Sequence, residues 1–250
     1  SGADRIIVAT DHPRIQQVCN DFGAECLLTQ KDHQSGSDRV VEVCKKLDFN
    51  DNDIIVNLQG DEPFMSSVLI DELVANKKKF PSVGVATMCK IIEDISIFAN
   101  PSVVKVEFHD NGIAKFFRRV HEPIQSDNGV LGYKHLGIYA YSVGILKQFI
   151  EWPVAPLEKK ESLEQLRFLH NGIDIHVAVT NHSAGLGIDT EEDLMAARDF
   201  VKKINFPLNF PLIILIYYFR ITLQPISFLK KPYFQLIFLI TLIIFFLIEM

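Results

Sequence analysis

Two carboxylates, Asp61 and Glu62, stand near the end of the run Val56-Asn57-Leu58-Gln59-Gly60-Asp61-Glu62-Pro63. The apolar residues 54–58 read as a buried strand. Gly60 permits a tight turn after it, and Pro63 removes a backbone donor and stops the extended run. In open α/β sheets, ligands bind at the carboxyl ends of the strands. A carboxylate in that place suits a hard cation held against a phosphate. The pair also fits a solvated turn, since charged side chains are mostly exposed. The elements around the pair decide between these readings.

Those elements alternate. Residues 6–9 are a short apolar run closed by Thr10-Asp11. His12-Pro13 starts a helix with Ile15, Val18, Cys19 and Phe22 on one face, and Gly23 stops it. A strand over 25–29 and a polar loop over 30–36 follow. Ser37 or Asp38 can cap the next helix, whose inner face is Val40, Val41, Cys44 and Leu47. After the strand at 54–58, a helix is predicted over 66–79 and a strand over 83–89. Strands and helices alternating at this pace indicate an α/β fold with a doubly wound, mostly parallel sheet.

After residue 100 the pattern changes. Residues 103–108 and 113–117 flank Asp110-Asn111-Gly112, a strong hairpin signal. A strand is predicted over 136–141, helices over 143–151 and 157–171 with Gly172 as a stop, and a strand over 175–180. Gly185-Leu186-Gly187 leads to Asp189. Thr190, with Glu191, Glu192 and Asp193 after it, opens a last helix to about residue 203.

The 250-residue chain has a net charge of −6 from 25 basic and 31 acidic side chains. From residue 204 onward the only charges are Arg220, Lys230, Lys231 and Glu249, so residues 1–203 hold 22 basic and 30 acidic groups, a net of −8. An acidic body argues against a general nucleic-acid binder, which needs a basic face. An anionic substrate would need local cations or a bridging metal. Cys19, Cys26, Cys44 and Cys89 contain no CxxC spacing, which argues against a zinc knuckle or redox pair and for thiols in a reducing cytosol.

The tail, 204–250, is different in composition. Residues 210–219 and 236–248 are nearly all Ile, Leu, Phe and Tyr, but each run is shorter than the roughly 18–20 apolar residues of a spanning helix. Pro207, Pro211, Pro225 and Pro232 interrupt it. The tail reads as a non-native extension or a membrane hairpin, and membrane contact is expected only in the second case.

Seven segments occur in a telling order: SGADRIIVATD (1–11), DHQSGSDR (32–39), VNLQGDEP (56–63), NPSVVKV (100–106), KHLGIYAY (134–141), PLEKKESLEQLR (156–167) and GIDTEEDL (187–194). Together they resemble the 3-deoxy-manno-octulosonate cytidylyltransferases, over about residues 1–203. DHQSGSDR, QGDEP and LEQLR are the specific parts. The resemblance implies a nucleotide-diphospho-sugar transferase fold with an inserted β-hairpin, and a homodimer formed through the region around 113–141. Family members begin with a strand and a Gly-, Arg- and Lys-bearing loop that grips the triphosphate. That unit would precede Ser1. Residues 1–203 are therefore expected to lack their first βα unit, and the chain alone to turn over little substrate.

The same resemblance assigns roles. Asp61 and Asp189 would be the catalytic ligands of Mg²⁺, although Asp189 taken alone also fits a helix N-cap. Ser35, Gly36, Ser37, Arg39 and Gln59 would bind the nucleotide, with a capping loop as the other reading of 35–37. Arg119, His135, Tyr139, Glu164 and Gln165 would line the sugar-acid pocket, with a solvated helix face as the other reading of 164–165. Arg118-Arg119-Val120-His121-Glu122-Pro123 stands where the family has Ser-Arg-x-x-Ile-Pro.

The implied reaction joins CTP and 3-deoxy-D-manno-octulosonate (Kdo) into CMP-Kdo and diphosphate, in the cytoplasm, for lipopolysaccharide synthesis. Two alternatives remain open at this point: a cytidylyltransferase for another 2-keto sugar acid such as a sialic acid, and an inactive truncated subunit.

Overall fold

The computed structural model describes residues 1–203 except 34, 121, 123–128, 183, 186 and 189. The tail and its two readings lie outside the described residues. The chain divides into two units, one holding 1–39, 58–70 and 183–250, the other 40–57 and 71–182.

In the first unit, β1 (Val8–Thr10) pairs in parallel with β2 (Cys26–Leu28) across α1 (Pro13–Asp21). The start and stop of α1 follow the sequence signals. His12 is its N-cap, Pro13 its first residue, and Gly23 takes a φ of +83° just past its end. Ile15, Cys19 and Ala24 form a small buried cluster with Val8, Phe22 and Cys26 against it. The next helix, α2 (Gly36–Lys46), is capped two positions before the earlier of the two caps the sequence suggests. Ser35 Oγ accepts from the Asp38 amide at 3.2 Å, and the Asp38 carboxylate accepts from the Ser35 amide at 3.0 Å. This reciprocal box needs the hydroxyl three residues ahead of the carboxylate, so Ser35 caps and Asp38 closes the box. The final helix, α8 (Glu191–Lys203), uses the same device between Thr190 and Asp193.

The second unit is built on a six-stranded sheet. Its centre is β7 (Gly132–Ser142), which pairs antiparallel with β4 (Val85–Ile92) along one edge. The other edge is shared. Residues 139–142 pair with β3 (Ile54–Asn57), while Lys134 pairs with β5 (Lys105–Phe108). β5 forms a hairpin with β6 (Ala114–Arg118), and β8 (Ile175–Val179) adds to β4 in parallel. Strands β3, β4, β5 and β8 therefore run one way and β6 and β7 the other. The predicted α/β fold with a mostly parallel sheet and an inserted hairpin is present, with one antiparallel strand threaded through its middle.

The core of this unit is aromatic. Phe168 stacks on Phe149 at 4.4 Å and on Tyr141 at 5.7 Å, with Trp152 edge-on to both phenylalanines. Val85, Phe117, Leu146 and Ile175 fill the space around them. Helices α5 (Val143–Phe149) and α7 (Leu166–His170) supply Leu146, Phe149, Leu166 and Phe168 to it, and the other helices along this stretch of chain are α3 (Ser67–Lys79), α4 (Ile95–Ala99) and α6 (Pro156–Glu161). The helix expected over 157–171 is thus two short helices. Ser162, at a φ of +55°, breaks it. The apolar spacing carries no mark of this break, which allows Glu158 and Arg167, nine residues apart, to meet as an ion pair.

Candidate active site

In the first unit, the chain leaving β3 turns at Gln59, whose carbonyl accepts from the Glu62 amide at 3.1 Å. Asp61 and Glu62 follow, half-buried. The segment around Gly185 and Gly187 packs backbone to backbone against them. A Cβ on Gly185 would sit 2.2 Å from the Phe64 carbonyl oxygen, and Gly185 holds a φ of +88°. Only glycine meets both conditions. Gly187 lies beside Glu62, where an added Cβ would meet Glu62 Oε1 in ordinary contact at 3.5 Å. The Ile188 amide then donates to the Asp61 carbonyl at 2.8 Å. The two acidic motifs, 128 positions apart in sequence, are joined here through the residue immediately before Asp189. Asp189 itself lies outside the described residues. Among the described residues no cluster of three or more His, Cys, Asp or Glu could hold a metal. A Mg²⁺ site asks for less, since one or two carboxylates suffice when substrate phosphates and waters complete the shell. The oxygen donors at 61–62 fit that ion.

The residues assigned to the nucleotide have partners of their own. The Ser35 hydroxyl belongs to the cap of α2, Gly36 is its first residue, and Ser37 is fully buried. Arg39 is ion-paired with Asp11 at 3.2 Å and bonds the Thr29 hydroxyl and, at 3.4 Å, the Gln30 carbonyl. That network fixes a cation beside the loop after β2. Gln59 is exposed.

In the second unit, β3 and β5 part company along one edge of β7, and residues 136–138 have no registered partner there. On the other edge the β4–β7 register slips between Thr87 and Met88. The Thr87 hydroxyl satisfies this bulge. It donates to the Ile138 carbonyl at 2.8 Å and lies 3.0 Å from His135 Nε2. A hydroxyl has one proton to give; with that proton on the shorter bond to the Ile138 carbonyl, the Thr87 oxygen accepts from His135 Nε2. The network thereby assigns the Nε2–H tautomer and leaves Nδ1 as an acceptor. Burial supports the neutral ring and pushes its pKa down to about 3. Tyr139 lies 5.3 Å from the His135 ring, and burial together with the Glu164 carboxylate holds its phenol well above the usual range. Glu164 is half-buried and Gln165 buried, in the turn between α6 and α7. His135, Tyr139 and Glu164 are thus brought together.

Arg119 braces the same turn. Its Nε donates to the Glu161 carbonyl at 3.1 Å and its Nη1 to the Ser102 carbonyl at 3.4 Å. Two contributors have no chemical signal in the sequence. Thr87 looks like any strand threonine, and Lys105, almost wholly buried, bonds the carbonyls of Asn100, Val103 and Arg119.

A pH dependence follows from His135. Its folded pKa lies below the unfolded value near 6.5, so the unfolded chain binds the extra proton between pH 6.5 and about 3. Stability from this group is full above pH 6.5 and falls as pH drops, by about 1.4 kcal/mol per unit. Urea denaturation from pH 7.5 to 5 is expected to lose about 2 kcal/mol through this residue. His135→Gln should flatten the slope by that amount. An unchanged slope would contradict the buried neutral ring.

These features can be compared with known proteins. The class comes first: the family model described as Cytidylyltransferase matches residues 1–175. The 3-deoxy-manno-octulosonate cytidylyltransferase of Marinobacter nauticus is 40% identical over 217 residues, covering 81% of this chain and 83% of the relative. That of Pseudomonas syringae pv. tomato is 44% identical over 208 residues, covering 79% and 82%. A solved structure described as CMP:2-keto-3-deoxy-manno-octonic acid synthetase complexed with CTP superimposes with a TM-score of 0.75 at 36% identity, over 82% of this chain and 83% of that one. The chain belongs to the 3-deoxy-manno-octulosonate cytidylyltransferase family.

Proposed function

We propose that this chain activates Kdo with CTP, releasing CMP-Kdo and diphosphate, as a cytoplasmic step toward lipopolysaccharide. Membership of a family whose relatives carry that name supports the reaction. The observation that carries the site is the Ile188–Asp61 bond, because it draws the two acidic motifs together. Four unpaired cysteines fit a reducing compartment. The homodimer through residues around 113–141 rests on the family resemblance.

The anomeric hydroxyl of the sugar acid attacks the α-phosphorus of CTP. A new P–O bond forms, the bond to the β-phosphate oxygen breaks, diphosphate leaves with that electron pair, and the hydroxyl proton passes to water. This chemistry needs positioning and charge stabilisation more than a covalent intermediate. Asp61 and Asp189 would hold Mg²⁺, which when bound offsets phosphate charge. Arg39, Ser35, Gly36, Ser37 and Gln59 would meet the nucleotide, with Arg39 exchanging Asp11 for an anionic group of the substrate. His135 Nδ1 would accept from a sugar hydroxyl, while Tyr139, Gln165 and Glu164 would bond others. Arg119 would face the sugar-acid carboxylate while still bracing the turn.

The test is diphosphate release from CTP with a panel of 2-keto sugar acids. Release with Kdo and little with a sialic acid is expected. Preference for a sialic acid would reverse the substrate assignment.

A further inference from the structure

We propose that the buried Glu158–Arg167 pair is a positioning device for the sugar-acid pocket, holding the turn 162–165 so that Glu164 and Gln165 are presented in one conformation. The proposal rests on the assignment of those two residues to the sugar acid.

The turn cannot hold itself. It joins α6, of six residues, to α7, of five, and isolated helices of that length are not stable in water. Ser162 adds a left-handed residue at the junction. What closes the unit is one carboxylate. Glu158 Oε2 accepts from the Ala155 amide at 2.9 Å, at the start of α6, and from Arg167 Nε at 2.8 Å, on α7. Glu158 Oε1 accepts from Arg167 Nη2 at 2.5 Å. The guanidinium lies 4.2 Å from the Phe149 ring centre and reaches the Trp152 carbonyl at 3.5 Å. Both side chains are about nine-tenths buried.

Between these anchors the chain has little freedom. The Leu163 amide bonds the Glu158 carbonyl at 3.2 Å, and the Arg167 amide bonds the Glu164 carbonyl at 3.1 Å. Cohesion alone does not explain the choice of residues, because an apolar couple of similar size commonly stabilises as well as a buried ion pair or better. A bidentate fork supplies fixed direction. Here the direction it fixes is that of the turn carrying Glu164, whose charge is felt at Tyr139. Arg167 therefore acts through the backbone of its neighbours.

The test uses the full chain and four variants: Arg167→Met, Arg167→Lys, Glu164→Gln and Gln165→Leu. Hydrogen exchange with mass spectrometry reads the amides of 162–167. Calorimetric titration reads the dissociation constants of CTP and, with CTP present, of Kdo. Arg167→Met is expected to speed exchange in 162–167, leave β4 and β7 unchanged, and weaken Kdo by about tenfold or more. CTP affinity should stay within about twofold in that variant, and Arg167→Lys should recover part of the loss. A merely cohesive pair would weaken both ligands alike or neither. If Arg167→Met leaves Kdo affinity intact while the Glu164 and Gln165 variants weaken it, the positioning role is overturned and the pocket assignment stands. If the Glu164 and Gln165 variants bind Kdo as the native chain does, or the native chain binds none, the pocket assignment fails and this proposal fails with it.

Discussion

Asp61→Asn is expected to abolish Mg²⁺-dependent formation of the CMP-sugar, with a rate loss of at least about 10²–10³. The substitution is nearly isosteric and leaves the backbone carbonyl that receives the Ile188 amide in place, so folding should be unaffected. What goes is a negative oxygen donor, and a neutral amide does not replace one in a two-carboxylate Mg²⁺ site. Asp189→Asn should behave alike. Initial rates at limiting and saturating Mg²⁺ distinguish the outcomes. Both variants should be inactive at low metal and recover little at high metal, with far-UV dichroism unchanged. Near-normal rates at limiting Mg²⁺ in both would remove these residues from the metal site.

Lys105→Met should produce the largest loss of stability, about 3 kcal/mol or more. The Lys105 ammonium bonds the carbonyls of Asn100 at 3.0 Å, of Val103 at 2.9 Å and of Arg119. It ties the loop before β5 to the end of β6. Burial pulls its pKa down, with the Arg119 charge adding to the effect, yet three carbonyls compensate for the desolvation. Methionine fills the volume and leaves those carbonyls without their donor. Urea titration should show a lower midpoint at an unchanged slope. A loss under about 1 kcal/mol would mean that water or a rearranged loop takes over the ammonium's bonds.

Much of this fold was legible from local signals. Pro13 and Gly23 bounded α1, and Asn111-Gly112 located the β5–β6 hairpin, where Gly112 holds a φ of +82°. Other features were not local. The long pairing of β7 with β4 starts at Gly132, four residues before the predicted strand, because its first residues are fixed by β4 across the sheet. The antiparallel course of β7 between β3 and β4 depends on pairing order, which periodicity does not encode. The break at Ser162 accompanies the Glu158–Arg167 pair, while the sequence around it reads as continuous helix.

The site was legible in the same uneven way. Asp61 was recognisable from Gly60 and Pro63 at a strand end. The pairing of its segment with the one before Asp189 was foreshadowed by Gly185, whose missing side chain allows the backbone approach. At Ser35 the capping reading has a bond behind it, since its hydroxyl accepts from the Asp38 amide. His135 was marked by motif alone. Its tautomer and depressed pKa come from Thr87 and from burial, and neither is written in the residues next to it.

In the proposed reaction the anomeric oxygen of Kdo becomes bonded to the α-phosphorus of CTP. Kdo labelled with ¹⁸O at the anomeric hydroxyl, CTP and Mg²⁺ are incubated with the protein, and ³¹P NMR is recorded as diphosphate appears. The account predicts a new phosphodiester resonance carrying the ¹⁸O isotope shift, with unlabelled diphosphate. Label in the diphosphate, or diphosphate released with CMP as the only nucleotide product from the start, would contradict it.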